Sequence, residues 1–298
     1  MEPKLNFSPA SLQILNVCLA IIMFGVALSI KPEHFYQLRH QKKALLTGLA
    51  SQYILLPGLT FLIILILKPS PGIALGMFLV AACPGGNVSN FFALLARGNV
   101  ALSVTLTAIT SLLAFLITPL NFLFWASLIP EVSNQLRELQ IHFLDLLLNM
   151  TGILLLPLIL GMVFNNRFPE LARKIARPAR AISIMILISF IVVTLYFNAT
   201  VFSDYILLVF WIVMLHNGLA IAGGYTLSYL VKNREDIHRT VAIETGIQNS
   251  GLALVLIFTF FGGNGYMALI AAWWGVWHLV SGFALAWAFQ RNTVQLPT

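Results

Sequence analysis

The chain alternates between long apolar stretches and short breaks rich in charge, proline or glycine. A helix that crosses a bilayer needs about 20 predominantly apolar residues. Nine stretches reach that length, at approximately 9–30, 44–67, 72–96, 99–128, 141–164, 179–199, 204–231, 240–261 and 265–289. Lys31-Pro32, Lys68-Pro69 and Gly262-Gly263-Asn264-Gly265 are the clearest breaks, since proline and glycine interrupt helices. The boundary at 129–141 is the weakest, and Pro130 to Gln140 reads as a short interfacial helix. The first stretch is too long for a signal-peptide core and no small-residue cleavage site follows it, so it reads as a retained span. The pattern predicts an all-α polytopic membrane protein, residues 1–298 forming one unit with no soluble domain.

Composition agrees. The sequence is 59% hydrophobic and 9% charged, against about 25% charged residues in soluble domains. The net charge of +7 would suit a nucleic-acid partner, but its distribution excludes that reading. With nine spans, 14 of the 17 basic residues fall in one set of loops, and only Lys4, Lys68 and Arg137 in the other. Basic loops stay cytoplasmic, which predicts an N-terminus outside and a C-terminus inside, in the plasma (inner) membrane. The charge is a topology signal, with some attraction to anionic lipid. Cys18 and Cys83 both lie in apolar segments and do not fix a redox compartment.

One carboxylate changes the picture. Glu244 stands in Glu244-Thr245-Gly246-Ile247-Gln248-Asn249-Ser250-Gly251, inside an apolar run. An acid at bilayer depth costs from about 3 to more than 10 kcal/mol, so it marks a functional site. All Lys and Arg are consumed by loops and span ends, so its counter-charge has to be a proton or a bound metal cation. A second polar break, Cys83-Pro84-Gly85-Gly86-Asn87-Val88-Ser89-Asn90, occupies the middle of the third span. Each break falls in the third of four consecutive spans, 1–4 and 6–9, and the two run in opposite directions. Paired broken helices in inverted halves are the best sequence pointer to a transporter's binding site. The competing reading is a pair of kinked packing helices. Backbone freed at a break must line a cavity or bind an ion, because lipid cannot satisfy it.

Further polar residues cluster around these breaks. Ser103 and Thr107 share one face of the fourth span. Hydroxyls in such helices commonly bond the preceding turn, but beside the break they are plausible ligands. Glu244, Asn90, Ser89, Ser103 and Thr107 would offer a hard monovalent cation an all-oxygen set. Gln52 lies mid-span in the second stretch, with His216-Asn217 as its counterpart in the seventh. Gln52 reads equally as ligand or interhelical glue, and His216 as a packing residue. His278, in Trp273-Trp274-Gly275-Val276-Trp277-His278, is similarly ambiguous. Asp145, near His142 and the outer interface, receives no role.

These stretches resemble the bile-acid/sodium symporter family. The first-half match lies in Ile22-Met23-Phe24-Gly25, Lys31-Pro32, Cys83-Pro84-Gly85-Gly86, Ser89-Asn90 and Ala96-Arg97-Gly98-Asn99-Val100-Ala101-Leu102-Ser103. The second lies in His216-Asn217-Gly218, the Glu244 to Gly251 segment, and Trp277-His278 with Ser281-Gly282. The resemblance covers nearly the whole chain and implies two sodium ions as coupling ions. One would be held by Ser89, Asn90, Ser103, Thr107 and Glu244, the other by Gln52, Glu244 and Gln248 with main-chain carbonyls of Thr245 and Ile247. It also implies a core of spans 44–128 and 204–289 with two crossing broken helices, and a panel of 9–30 and 141–199. Substrate would lie between them, near Asn87, Asn249 and His278. Two positions depart from some relatives: residue 87 is Asn rather than Thr, and the residue after His278 is Leu279. Both bear on substrate choice and leave the ion ligands intact.

The expected function is sodium-coupled import of an organic anion by alternating access: a bile-acid-like molecule, a hydroxy or keto acid, or a sulfonate. A proton-coupled or uncoupled carrier or exporter of the same fold is the alternative. An intramembrane enzyme using Glu244 and His278 lacks a nucleophile motif or metal-ligand cluster. The expected partners are the small anion and the lipid bilayer, with no nucleic acid and no obligatory protein partner.

Overall fold

The computed structural model describes residues 41–139, 143–197 and 199–292, together with Val17, Ala20, Ile21, Met23–Gly25, Ala27 and Leu28. Most of the first expected span, Cys18 and His142, and the side chain of Asp145, lie outside the described residues.

Among the described residues the chain is built from helices. Helix α1 (Lys42–Leu67) passes through one widened turn at Ser51–Leu55. After it come α2 (Pro71–Ala82), α3 (Val88–Leu95), α4 (Val100–Ser127) and the short α5 (Pro130–Glu138). The run α6 starts at Phe143–Met150, widens at Thr151–Leu155 and ends with Leu156–Arg167. Then follow α7 (Pro169–Phe197), α8 (Ala199–Leu230), α9 (Glu235–Gly246), α10 (Ser250–Phe260) and α11 (Gly265–Asn292).

By length and composition, four described helices can cross a membrane: Lys42–Leu67, Val100–Ser127, Tyr205–Leu230 and Gly265–Arg291. Three shorter apolar ones are Pro71–Ala82, Thr151–Arg167 and Ser250–Phe260. Leu46, Ile54, Leu62, Ile66, Leu207, Trp211 and Phe283 are exposed on helix flanks. In water such a surface would aggregate; facing acyl chains it costs nothing. The protein is an integral membrane protein.

The expected third and eighth spans are each split in two. Helix α2 ends at Ala82 and α3 begins at Val88; α9 ends at Gly246 and α10 begins at Ser250. Pro84 cannot continue α2, and the residue before a proline avoids the helical region: Cys83 is extended, at φ −68° and ψ 154°. The 130–140 segment is helical over Pro130–Glu138, with Val132 turned inward. The sixth span differs in extent. Its helix begins at Pro169, ten residues before the apolar stretch, because proline suits a first helical turn and Arg and Lys are good helix formers.

Helix α2 packs along α11, α8 along α9 and α11, and α4 along α2, α3 and α9. The core they bury includes Phe78, Phe122, Leu254, Phe258, Met267 and Trp274. Both breaks are enclosed by these helices.

Candidate functional site

The breaks cross and pair. Gly86 donates its N–H to the Ile247 carbonyl at 2.9 Å, and Asn249 donates to the Pro84 carbonyl at 2.9 Å. Gly85 and Gln248 thus face one another in an antiparallel bridge. Lipid offers no donors or acceptors, so each interruption is tolerable only because the other completes it. At Gly85 an added Cβ would stand 2.8 Å from the Glu244 Oε2, so any larger residue would have to displace that carboxylate.

The ends of the half-helices converge here. The N-termini of α3 and α10 and the C-termini of α2 and α9 meet at the crossing. A helix N-terminus carries partial positive charge and a C-terminus partial negative charge. One small region therefore offers attraction to both signs of ion. The C-terminal carbonyls are capped in the same way in both halves. Gln52 Nε2 donates to the Cys83 carbonyl at 2.8 Å, and Asn217 Nδ2 to the Gly246 carbonyl at 2.7 Å. Each cap comes from the span preceding the broken one, as the pairing of Gln52 with His216-Asn217 predicts.

Glu244 lies on the last turn of α9, 4% exposed. Its Oε1 accepts a hydrogen bond from Ser89 Oγ at 2.5 Å and a shorter one from Ser103 Oγ. Thr107 Oγ1 reaches Oε1 at 3.3 Å and Oε2 at 3.1 Å. Ser103 also lies 2.9 Å from the Asn90 Oδ1. Ser89 and Asn90 come from the first turn of α3, and Ser103 and Thr107 from α4 one turn apart. All five first-cluster residues are brought together around one carboxylate.

The second cluster adjoins it. Gln52 Nε2 donates to Gln248 Oε1 at 2.7 Å, and Gln248 Nε2 returns a bond to Gln52 Oε1 at 3.1 Å. Gln248 Nε2 also approaches the carbonyls of Thr245 (2.8 Å) and Glu244 (3.3 Å). The Ile247 carbonyl retains one lone pair beside the Gly86 bond. Glu244 belongs to both clusters, through its side chain in one and its main chain in the other.

Asn87 and Asn249 lie at the same crossing, both half-buried. Asn249 caps α10 by accepting from the Leu252 N–H at 3.0 Å, while Asn87 precedes α3 without a side-chain cap. His278 is buried on α11, which packs against α3 and α10, and its Nδ1 has no hydrogen-bond partner among the described residues. His216 is fully buried: its Nε2 lies 2.7 Å from Thr60 Oγ1 and its ring packs edge-on to Trp274.

Three contributors escape the sequence reading. Ser51 donates to Thr245 Oγ1 at 2.6 Å, since the Thr245 hydroxyl proton goes to the Val241 carbonyl; its place beside Gln52 was the available signal. Asn121 on α4 donates to the Tyr53 carbonyl at 3.2 Å. Arg239, counted among loop residues, is buried on α9, with its side chain 8% exposed. It donates to Glu235 (3.0 Å) and to the Ala96 (3.1 Å) and Phe289 (3.3 Å) carbonyls. The Glu244 carboxylate is contacted by hydroxyls, while Arg239 is committed elsewhere.

Residues 16–205 match the model of the sodium bile acid symporter family. A sodium-dependent transporter of Bacillus subtilis, YocS, is 31% identical over 278 residues, 93% of this chain and 83% of that protein. The probable sodium/metabolite cotransporter BASS1 of Arabidopsis thaliana chloroplasts is 30% identical over 93% of this chain and 66% of its own length. The human ileal sodium/bile acid cotransporter is 26% identical over 82% of this chain and 68% of its own. The chain thus spans about two-thirds of the length of these two plastid and human proteins. The family model spans the first break, and the similarity to YocS, over 93% of this chain, extends over both; the chain belongs to the sodium bile acid symporter family, a family of transporters rather than enzymes.

Proposed function

We propose that this protein is a sodium-coupled symporter that imports an organic anion by alternating access. The observation that carries the reading is the Glu244 carboxylate, buried among three hydroxyls and, among the described residues, bonded to no Lys or Arg. Such a group requires a small cation, and the surplus of neutral oxygens around it favours sodium over a proton. Ser89, Asn90, Ser103, Thr107 and Glu244 hold one ion. Gln52, Glu244 and Gln248, with the Thr245 and Ile247 carbonyls, hold a second. On ion entry the hydroxyls turn their protons away from Glu244 and present lone pairs instead. The anion's carboxylate or sulfonate is drawn to the N-termini of α3 and α10, beside Asn87, Asn249 and His278.

Two sodium ions with one monovalent anion carry a net +1 inward, and 100 mV contributes about 2.3 kcal/mol to that movement. Sodium and substrate favour the same state and raise each other's affinity reciprocally. The core of spans 44–128 and 204–289 moves against the panel of 9–30 and 141–199, in the inner membrane, with the N-terminus outside.

The test is a thermal-shift titration of purified protein with NaCl against choline chloride at constant ionic strength. A ligand that binds only the folded protein raises its stability with concentration. Stabilisation by sodium in the wild type that disappears in Glu244→Gln is the expected result. Absence of a sodium shift in the wild type, or a shift that follows pH alone, overturns it in favour of proton-coupled or uncoupled transport.

A further inference from the structure

Gln52 reaches the crossing from a turn of α1 that is not a regular α-helix. The Leu56 N–H bonds back to the Ser51 carbonyl, five residues away rather than four. Pro57 explains the widening. It has no N–H to offer the Tyr53 carbonyl, and its ring would collide with that carbonyl in a regular helix. Widened turns of this kind are frequent at functional sites. Here the turn carries Ser51 and Gln52, which face Thr245, Cys83 and Gln248 on the broken helices.

Pro57 cannot serve the Tyr53 carbonyl as a regular helix would, and at membrane depth Asn121 donates to that carbonyl from α4 at 3.2 Å. Asn121 is itself 9% exposed and lies two residues beyond Pro119, inside the helix that also carries Ser103 and Thr107. Thr151–Leu155 provides an internal comparison. The same Leu-Leu-Pro ending, Leu155-Leu156-Pro157, produces the same widened turn, with the Leu156 N–H bonded to the Thr151 carbonyl. Gly152 takes the place of Gln52 there, in open space. The Leu-Leu-Pro ending thus accompanies the turn in both helices, whereas Pro119 and Pro178 sit in regular helix; what distinguishes α1 is the polar side chain it carries and the amide that braces it.

We infer that Asn121 is a positioning residue for sodium binding: it fixes the widened turn of α1 and thereby the reach of Gln52 to the crossing. The inference rests on the proposed sodium site containing Gln52. Through this contact α4 bears on both ion clusters, directly by Ser103 and Thr107 and indirectly by Asn121.

The test is the sodium midpoint of the thermal shift, with NaCl as the only probe, in Asn121→Leu, Gln52→Ala, Pro57→Ala and their pairs. Asn121→Leu keeps the volume and removes the donor. It is expected to raise the midpoint roughly fivefold, the scale of one lost hydrogen bond. It should raise it no further when Gln52 is already Ala, because contacting groups in one network are non-additive. A simple packing defect would lower sodium-free stability without moving the midpoint. Pro57→Ala restores an N–H to the Tyr53 carbonyl, so in that background Asn121→Leu is expected to fold and to have no further effect. A wild-type midpoint in Asn121→Leu, beside a raised one in Gln52→Ala, overturns the role of Asn121. So does failure of Asn121→Leu to fold even with Pro57→Ala. An unchanged midpoint in both Gln52→Ala and Glu244→Gln instead overturns the sodium site and leaves the bracing of α1 standing as structure alone.

Discussion

Gln52 and Gln248 exchange amide hydrogen bonds, at 2.7 and 3.1 Å, across a sequence separation of 196 residues. Each amide oxygen is therefore already an acceptor, and each NH2 also serves a main-chain carbonyl. This reciprocal pair joins the two halves at the level of side chains, as the Pro84–Asn249 and Gly86–Ile247 bonds do at the level of backbone.

The pair is expected to behave as one unit. Gln52→Ala and Gln248→Ala should each raise the sodium midpoint, and the double variant should raise it by less than the product of the two effects. The coupling free energy is expected at about 0.5–3 kcal/mol, as for other residues in one network. A sodium titration of the four proteins in the cycle measures it; strictly multiplicative midpoints would show that the amides act independently.

Ser89 and Ser103 both donate to the same Glu244 oxygen. Either single alanine variant leaves Oε1 with a donor, whereas Ser89→Ala/Ser103→Ala removes both and leaves only the longer Thr107 contacts. The double variant is expected to lose sodium stabilisation at any accessible concentration while the singles retain it at higher sodium. Thermal-shift titrations compare the three.

Glycine substitutions should separate the crossing from its surroundings. At Gly85 an added methyl meets the Glu244 carboxylate at 2.8 Å, so Gly85→Ala is expected to abolish the sodium response. At Gly152 an added methyl meets nothing within 4 Å. Gly152→Ala should leave the sodium midpoint unchanged and, being helical, stabilise the protein by about 0.5–1 kcal/mol. Tm and midpoint read in parallel distinguish the two.

Arg239→Ala removes the donor from the Ala96 and Phe289 carbonyls at the ends of α3 and α11. The Ala96 bond is buried, and a buried acceptor left unsatisfied costs about 1–3 kcal/mol, so the variant is expected to show a clear loss of sodium-free stability. Arg239→Lys should not restore it, because one ammonium cannot reproduce the guanidinium's fork. Unfolding of both variants in detergent measures the loss.

Much of the site could be read in advance because a bilayer exposes polar residues to view. Glu244, the two glycine-rich breaks and the hydroxyls of α4 each stand out against apolar neighbours, and their helical spacing shows which share a face. What could not be read depends on partners distant in sequence. Arg239 looks like a loop charge because it falls near the start of an apolar run. Its burial follows from carbonyls at residues 96 and 289 that no local pattern reveals. Asn121 is a single amide in a long span until the proline 64 residues earlier frees the carbonyl it binds, a relation visible only once α1 and α4 are packed. The early start of α7 was hidden for another reason: hydropathy reports where lipid begins, and a helix can extend well past that point.

The mutual completion of the two breaks also has a consequence in time. A membrane protein is made from its N-terminus, and 155 residues separate Ser89 from Glu244. At synthesis rates of about 5–20 residues per second, the first break spends on the order of 10–30 seconds in or near the membrane before its complement exists. During that interval its carbonyls and amides need water, the insertion machinery or a companion protein. Assembly of the second half therefore ends a period of exposure for the first, and variants that weaken the crossing are expected to accumulate to lower levels than the wild type.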